Sequence, residues 1–280
     1  MQAPREDRCT IAVCFFGLLA RWSKSNGTNH LSAPLTQNIS YPSFVENVIR
    51  ANPSCATDVF VHSSETGFAR FVQQLLNPVA AAFGTSDTPF NTSKGWMGGE
   101  APQMFASIEH VLRLKREAEA SRGQPYDWVL LTRLDVVWFT PFLFKRLNPA
   151  LFYVANWCDA QHSETLANEA CRPVVNGDVR GAPDYYFAAN SSLMDAVFGN
   201  FTRDFEDGKF TRSRSNSNHA LHAGRLISLG LWGGMGRYLY HGLECATPTN
   251  RTEGAHVGLL CALHPTDGFW PGSHLAASSY

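Results

Sequence analysis

The sequence is short of charge and has no charge imbalance. Only 17% of its 280 residues are Asp, Glu, Lys or Arg, and 23 basic against 24 acidic residues leave a formal net charge of -1. With no basic excess to neutralise a phosphate backbone, the composition argues against a dedicated nucleic-acid binder, although a local basic patch stays open. Long apolar runs are missing too. The longest, from Thr10 to Ala20, is stopped by Arg21 and falls short of the roughly 20 residues a bilayer crossing requires. Arg5 and Arg8 precede it, so a signal-peptide core is one reading, but Glu6 and Asp7 offset those charges. No small-x-small cleavage pattern precedes Arg21 and Trp22. A buried strand is the better reading, and the chain is then expected to carry neither an export signal nor a transmembrane segment of its own.

The seven cysteines, Cys9, Cys14, Cys55, Cys158, Cys171, Cys245 and Cys261, contain no CxxC pair, which argues against a structural zinc site. Cys158 and Cys171 flank a polar loop and could bridge; isolated buried thiols are the preferred reading. Neither a GxxxxGK[ST] nor a GxSxG motif occurs. Gly233-Gly234-Met235-Gly236 lacks the strand-then-helix setting of a dinucleotide site. ATPase, lipase-type hydrolase and NAD-enzyme chemistry therefore lack a motif.

What is present is a globular composition, 44% hydrophobic with mean hydropathy -0.18, long enough for a sizeable core. No internal boundary stands out. A single domain is expected, with its core at about 9–245 and an irregular tail at 246–280. Apolar runs predict strands at TIAVCFFG ending in Gly17, at Asp58–His62, at Trp128–Leu131, resuming at Val136–Phe139, and at Leu151–Trp157, Asp184–Ala189 and Arg237–Tyr240. Helical spacing predicts a short helix opened by a Ser43/Glu46 capping box, another over 66–77, and a long one from Pro102 to about Ala120. A stripe of Met194, Val197, Phe198, Phe201 and Phe205 behind a Ser192 cap and a helix over Asn218–Leu229 complete the set. Ser23–Tyr41 and 84–100 read as loops. Strands alternating with helices imply an α/β fold with a mostly parallel sheet.

Six Asn-x-Ser/Thr sequons, at Asn26, Asn38, Asn91, Asn190, Asn200 and Asn250, exceed the about two expected by chance from this Asn content. They point to a glycoprotein of the secretory-pathway lumen, such as the Golgi, and to a catalytic piece of a longer, anchored protein.

In open α/β sheets ligands sit at the carboxyl ends of the strands. Asp135 falls just past the Trp128–Leu131 strand, where a carboxylate suits a hard divalent cation and a phosphate ligand; it could equally cap a turn. The segment LTRLDVVWFTPF resembles the acidic metal-binding motif of nucleotide-sugar-dependent glycosyltransferases of the GT-A fold. Arg133 stands where a strict DxD motif has its first acid. The Arg-x-Asp form resembles that of a poorly characterised algal, viral and microbial group. IAVCFFGLLAR, DVFVH and PDYYFAANSSLMDAVF follow in the same order as that group's segments, so that the resemblance covers residues 10–240 in pieces.

The resemblance implies a GT-A-like, Rossmann-like mixed sheet flanked by helices. It also implies transfer of a sugar from a nucleoside diphosphate to a glycan, protein or lipid acceptor. Mn²⁺ or Mg²⁺ would assist as a Lewis acid. Asp135 would hold the ion, and His241, after a late strand, would join it. Arg133 would supply fixed positive charge to the phosphates, or close a salt bridge at the strand end. Gly17 would allow close approach of the nucleotide and Arg21 would meet a phosphate or base. Asp184 is the first candidate for the base that an inverting enzyme needs, with Asp159 and Asp178 behind it. His219 and His222, one helical turn apart, form a weaker metal pair. Trp157, Trp232 and Trp270 could stack on a sugar, or simply pack. Two readings compete: a catalytically silent carbohydrate-binding or scaffold domain, and a metal-dependent hydrolase.

Overall fold

The computed structural model describes residues 9–17, 36–64, 66–84, 100–134, 136, 138, 141–156, 174–175, 178–179, 185–209, 218–231 and 236–240. Its strands are β1 (Thr10–Phe16), β2 (Ala56–Ser63), β3 (Ala80–Phe83), β4 (Trp128–Thr132), β5 (Phe152–Asn156), a small β6 (Val174–Val175) and β7 (Asp178–Val179) pair, β8 (Tyr186–Ala189) and β9 (Gly236–Tyr240). Its α-helices are α1 (Tyr41–Phe44), α2 (Ala69–Leu76), α3 (Glu100–Arg122), α4 (Ser191–Phe198), α5 (Phe201–Glu206) and α6 (Asn218–Ser228).

Seven strands form one sheet in the order β3-β2-β1-β4-β8-β5-β9. β1 pairs parallel with β2 and with β4, β2 with β3, and β5 with β9. β8 alone runs antiparallel, against β4 and β5. The fold is therefore α/β with a mixed, mostly parallel sheet. The long apolar runs become strands here because both sheet faces are covered. Ala12, Cys14 and Phe16 of β1 face one core with α3, α4, α5 and α6; Ile11, Val13 and Phe15 face the other with Phe44, Val72, Leu76, Phe142 and Phe144.

Several expectations need correction. Ser43 is not an N-cap. The helical run starts upstream, π-wound at Thr36–Ser40 and again at Val45–Ile49 around α1. The Ser43 hydroxyl donates to Ser40 O at 2.7 Å, and Glu46 turns to Arg50 at 2.9 Å. The second strand at Val136–Phe139 does not form at its described residues Val136 and Trp138, because Trp138 bonds to a helix instead of a strand. The expected stripe from Met194 to Phe205 is two helices, not one. α4 ends at Gly199, and its N-cap is Asn190, whose side chain accepts from Leu193 N–H at 2.8 Å. β3 was not expected at all: Ala80-Ala-Ala-Phe83 carries little strand propensity and lies at the sheet edge.

The cysteine reading also fails. Cys9 and Cys55 form a disulfide, and Cys14 is a free buried thiol. The cause is the register: Thr10 pairs with Ala56, so the residues just before each come side by side. Among the described cysteines the isolated-thiol reading holds for Cys14, whose burial pushes the thiol far above its usual range, and Cys245 and Cys261 lie outside the described residues. Cys158 and Cys171 lie outside the described residues. So does the tail at 246–280, and no helix among the described residues is long and apolar enough to cross a membrane.

Candidate functional site

Parallel pairing gathers strand ends. Phe16 of β1 pairs with His62 of β2, and Phe15 with Thr132 of β4. Gly17, His62–Ser63 and Arg133 therefore end neighbouring strands on one edge, the edge where open α/β sheets bind ligands. Two of the expected site residues, Gly17 and Arg133, are brought together here. Asp135, Asp184, His241 and Arg21 lie outside the described residues, as do Asp159, Trp157, Trp232 and Trp270.

Gly17 has φ +91°, a left-handed conformation that favours glycine, and a Cβ there would meet nothing within 4 Å. Its N–H is already used: it donates to Ser107 Oγ of α3 at 2.9 Å. Gly17 therefore shapes the turn and offers a ligand no backbone donor. Ser107 is a three-way junction. Its hydroxyl reaches His62 O at 3.1 Å, and His62 Nδ1 lies 2.8 Å from Ser107 Oγ. Placing the single hydroxyl proton on the His62 carbonyl makes Nδ1–H the donor to Ser107.

His62 is only 2% exposed. Burial, and then the nearby His110 and Arg113 of α3, lower its pKa to about 4, so it is neutral at pH 7. The His62 and His110 rings stack with centroids 4.4 Å apart, and Arg113 donates to His110 Nε2. Nothing in the sequence announced Ser107; a histidine at the end of an otherwise apolar strand was the available signal for His62.

Arg133 is half-buried. Its N–H donates to Tyr185 O at 3.1 Å, and its guanidinium carbon lies 5.7 Å from the centre of the Tyr185 ring. Thr132 Oγ1 donates to the same carbonyl at 3.0 Å. The antiparallel pairing of β4 with β8 thus sets Arg133 beside the residue that follows Asp184 in the chain. His222 is a core residue, 1% exposed, with its ring against Phe105, Phe187, Phe198 and Phe201. That packing does not favour the His219/His222 metal pair.

The described groups on this edge include a guanidinium, a neutral imidazole and the hydroxyls of Ser63, Ser107 and Thr132. That set fits the oxygens of a phosphate or diphosphate through Arg133. It contains no carboxylate, and among the described residues no three His, Cys, Asp or Glu side chains gather around a common point. The ligands expected for a metal, Asp135 and His241, are not among those residues. No protein-family model matches the chain, and no curated protein matches it.

Proposed function

We propose that the protein is a nucleotide-sugar-dependent glycosyltransferase whose donor diphosphate lies at the carboxyl edge of β1, β2 and β4. The observation that carries this reading is the convergence of Gly17 and Arg133 at adjacent strand ends, with Asp135 two residues further along the chain. Arg133 holds positive charge against the diphosphate as it leaves, where a fixed guanidinium needs no reorganisation. The bond from the anomeric carbon to the diphosphate oxygen breaks, and a bond to the acceptor hydroxyl oxygen forms. In an inverting reaction, Asp184 takes the hydroxyl proton. Asp135 and His241 would hold a divalent ion, which would supply Lewis-acid stabilisation of the leaving diphosphate. The Cys9–Cys55 bridge and the six sequons support work in an oxidising lumen such as the Golgi.

Calorimetry with UDP and GDP, with and without MnCl₂, tests the reading. Wild type binds one of them, and Asp135→Ala weakens the Mn²⁺-dependent part by more than about 100-fold, beyond the range for residues that only orient a ligand. Diphosphate binding without turnover of any sugar donor would leave a silent domain. Cleavage of plain glycosides or phosphodiesters without nucleotide would make it a hydrolase.

A further inference from the structure

Past β4, the described residues Trp138 and Phe142 bond through their backbone to a helix and not to a strand. Trp138, 2% exposed, donates its N–H to Ser43 Oγ at 2.9 Å and accepts from Asn47 Nδ2 at 2.6 Å through its carbonyl. Phe142 N–H donates to Asn47 O at 2.7 Å. Asn52 completes the seam. Its Nδ2 reaches Phe142 O and Val48 O, each at 2.7 Å, and its Oδ1 accepts from Phe144 N–H at 3.0 Å.

The last carbonyls of a helix have no partner within it. Here the end of the π-wound turn Val45–Ile49 gives the Asn47 carbonyl to Phe142 and the Val48 carbonyl to the Asn52 side chain. Ser43 and Asn47, four residues apart, lie on one helix face. They grip both backbone polar groups of one residue, as a neighbouring strand would.

We infer that Ser43 and Asn47 are positioning residues for Arg133 at the end of β4. Sheet pairing anchors the chain at Thr132, and the helix anchors it again at Trp138. The short stretch between them, which carries Arg133 and Asp135, is held at both ends. Fixing both ends of a short segment lowers the cost of ordering it, so the Arg133 guanidinium meets a diphosphate at little ordering cost. This rests on the donor-site reading above. It adds that a helix on the opposite core from α3 sets the geometry of that site.

The test uses the intact chain and two readouts: hydrogen exchange by mass spectrometry over 136–142, and calorimetry with UDP and GDP plus MnCl₂. Asn47→Ala and Ser43→Ala are each expected to speed exchange over 136–142 about tenfold, the effect of one lost buried hydrogen bond. Diphosphate affinity should fall by about the same factor. Ser43→Thr keeps the hydroxyl and should restore both. Tyr126→Phe removes a comparable bond at the other end of the sheet, 2.6 Å to Asp58; it should lower stability and move neither readout. Unchanged exchange in both alanine variants would overturn the clamp. Faster exchange with unchanged diphosphate affinity would overturn the positioning role while the donor site stands. A wild type that binds neither nucleotide would sink the donor site and the positioning role together, leaving the exchange result to judge the clamp alone.

Discussion

At the amino ends of β1 and β2 the chain is closed by a covalent bond and by charge. Cys9 and Cys55 are bridged, and Asp127 accepts from the Thr10 N–H and hydroxyl at 2.7 and 3.0 Å. The Tyr126 hydroxyl donates to Asp58, with Arg122 4.2 Å above the Tyr126 ring. At the carboxyl ends of β1, β2 and β4 the links are neutral and come from side chains: Ser107 to Gly17 and His62, and Ser43 and Asn47 to Trp138. The first end ties the sheet against unfolding. The second holds backbone in shapes that strand pairing cannot give, which is what a ligand site on an open sheet requires.

Three experiments sharpen or break this contrast. The largest effect belongs to the amino end. Replacing both Cys9 and Cys55 by serine should cost about 4 kcal/mol in urea unfolding, the chain-entropy value for a closed loop of 46 residues. A loss below about 1 kcal/mol would mean that this end is held by the Asp127 and Asp58 hydrogen bonds instead.

The second probes the carboxyl end through pH. The folded pKa of His62 is lowered to about 4 from an ordinary value of 6.5, so between those values the unfolded chain binds a proton that the folded chain does not. Its contribution is complete above pH 6.5 and is lost as pH falls toward 4, a drop of about 3 kcal/mol. His62→Gln should flatten the stability profile in that window. A profile as steep as wild type would place the titrating group elsewhere.

The smallest effect is at the turn. Gly17→Ala meets no clash but must hold φ at +91°, which costs about 1–2 kcal/mol. A variant as stable as wild type would show that the turn relaxes, and with it the contrast between a fixed and an adaptable end.

Much of this fold was legible before any coordinates. The runs at Thr10–Phe16 and Trp128–Thr132 read as buried parallel strands because they are apolar on both faces. The long helix was readable from Pro102 and from apolar spacing that ends near Gly123. The site was legible only in part. Gly17 and Arg133 were marked by the motif resemblance of their segments, and Asp135 alone by its place just past a strand end. Ser107, Ser43 and Asn47 were invisible as site residues, because a serine or asparagine in a helix carries no sign of which distant backbone group it will meet.

The order of residues alone determined that strands and helices alternate and that the runs of β1 and β4 are buried on both faces, while it missed β3 and placed a strand at Val136–Phe139 that does not form at Val136 and Trp138. It could do so because periodicity and burial are local properties of the chain. Tertiary structure decided what depends on register: that residue 9 meets residue 55, that β8 enters reversed beside β4, and that a helix of one core answers Trp138 while α3 in the other answers Gly17. Such meetings join residues far apart in the chain, and only the packed sheet fixes which of them touch.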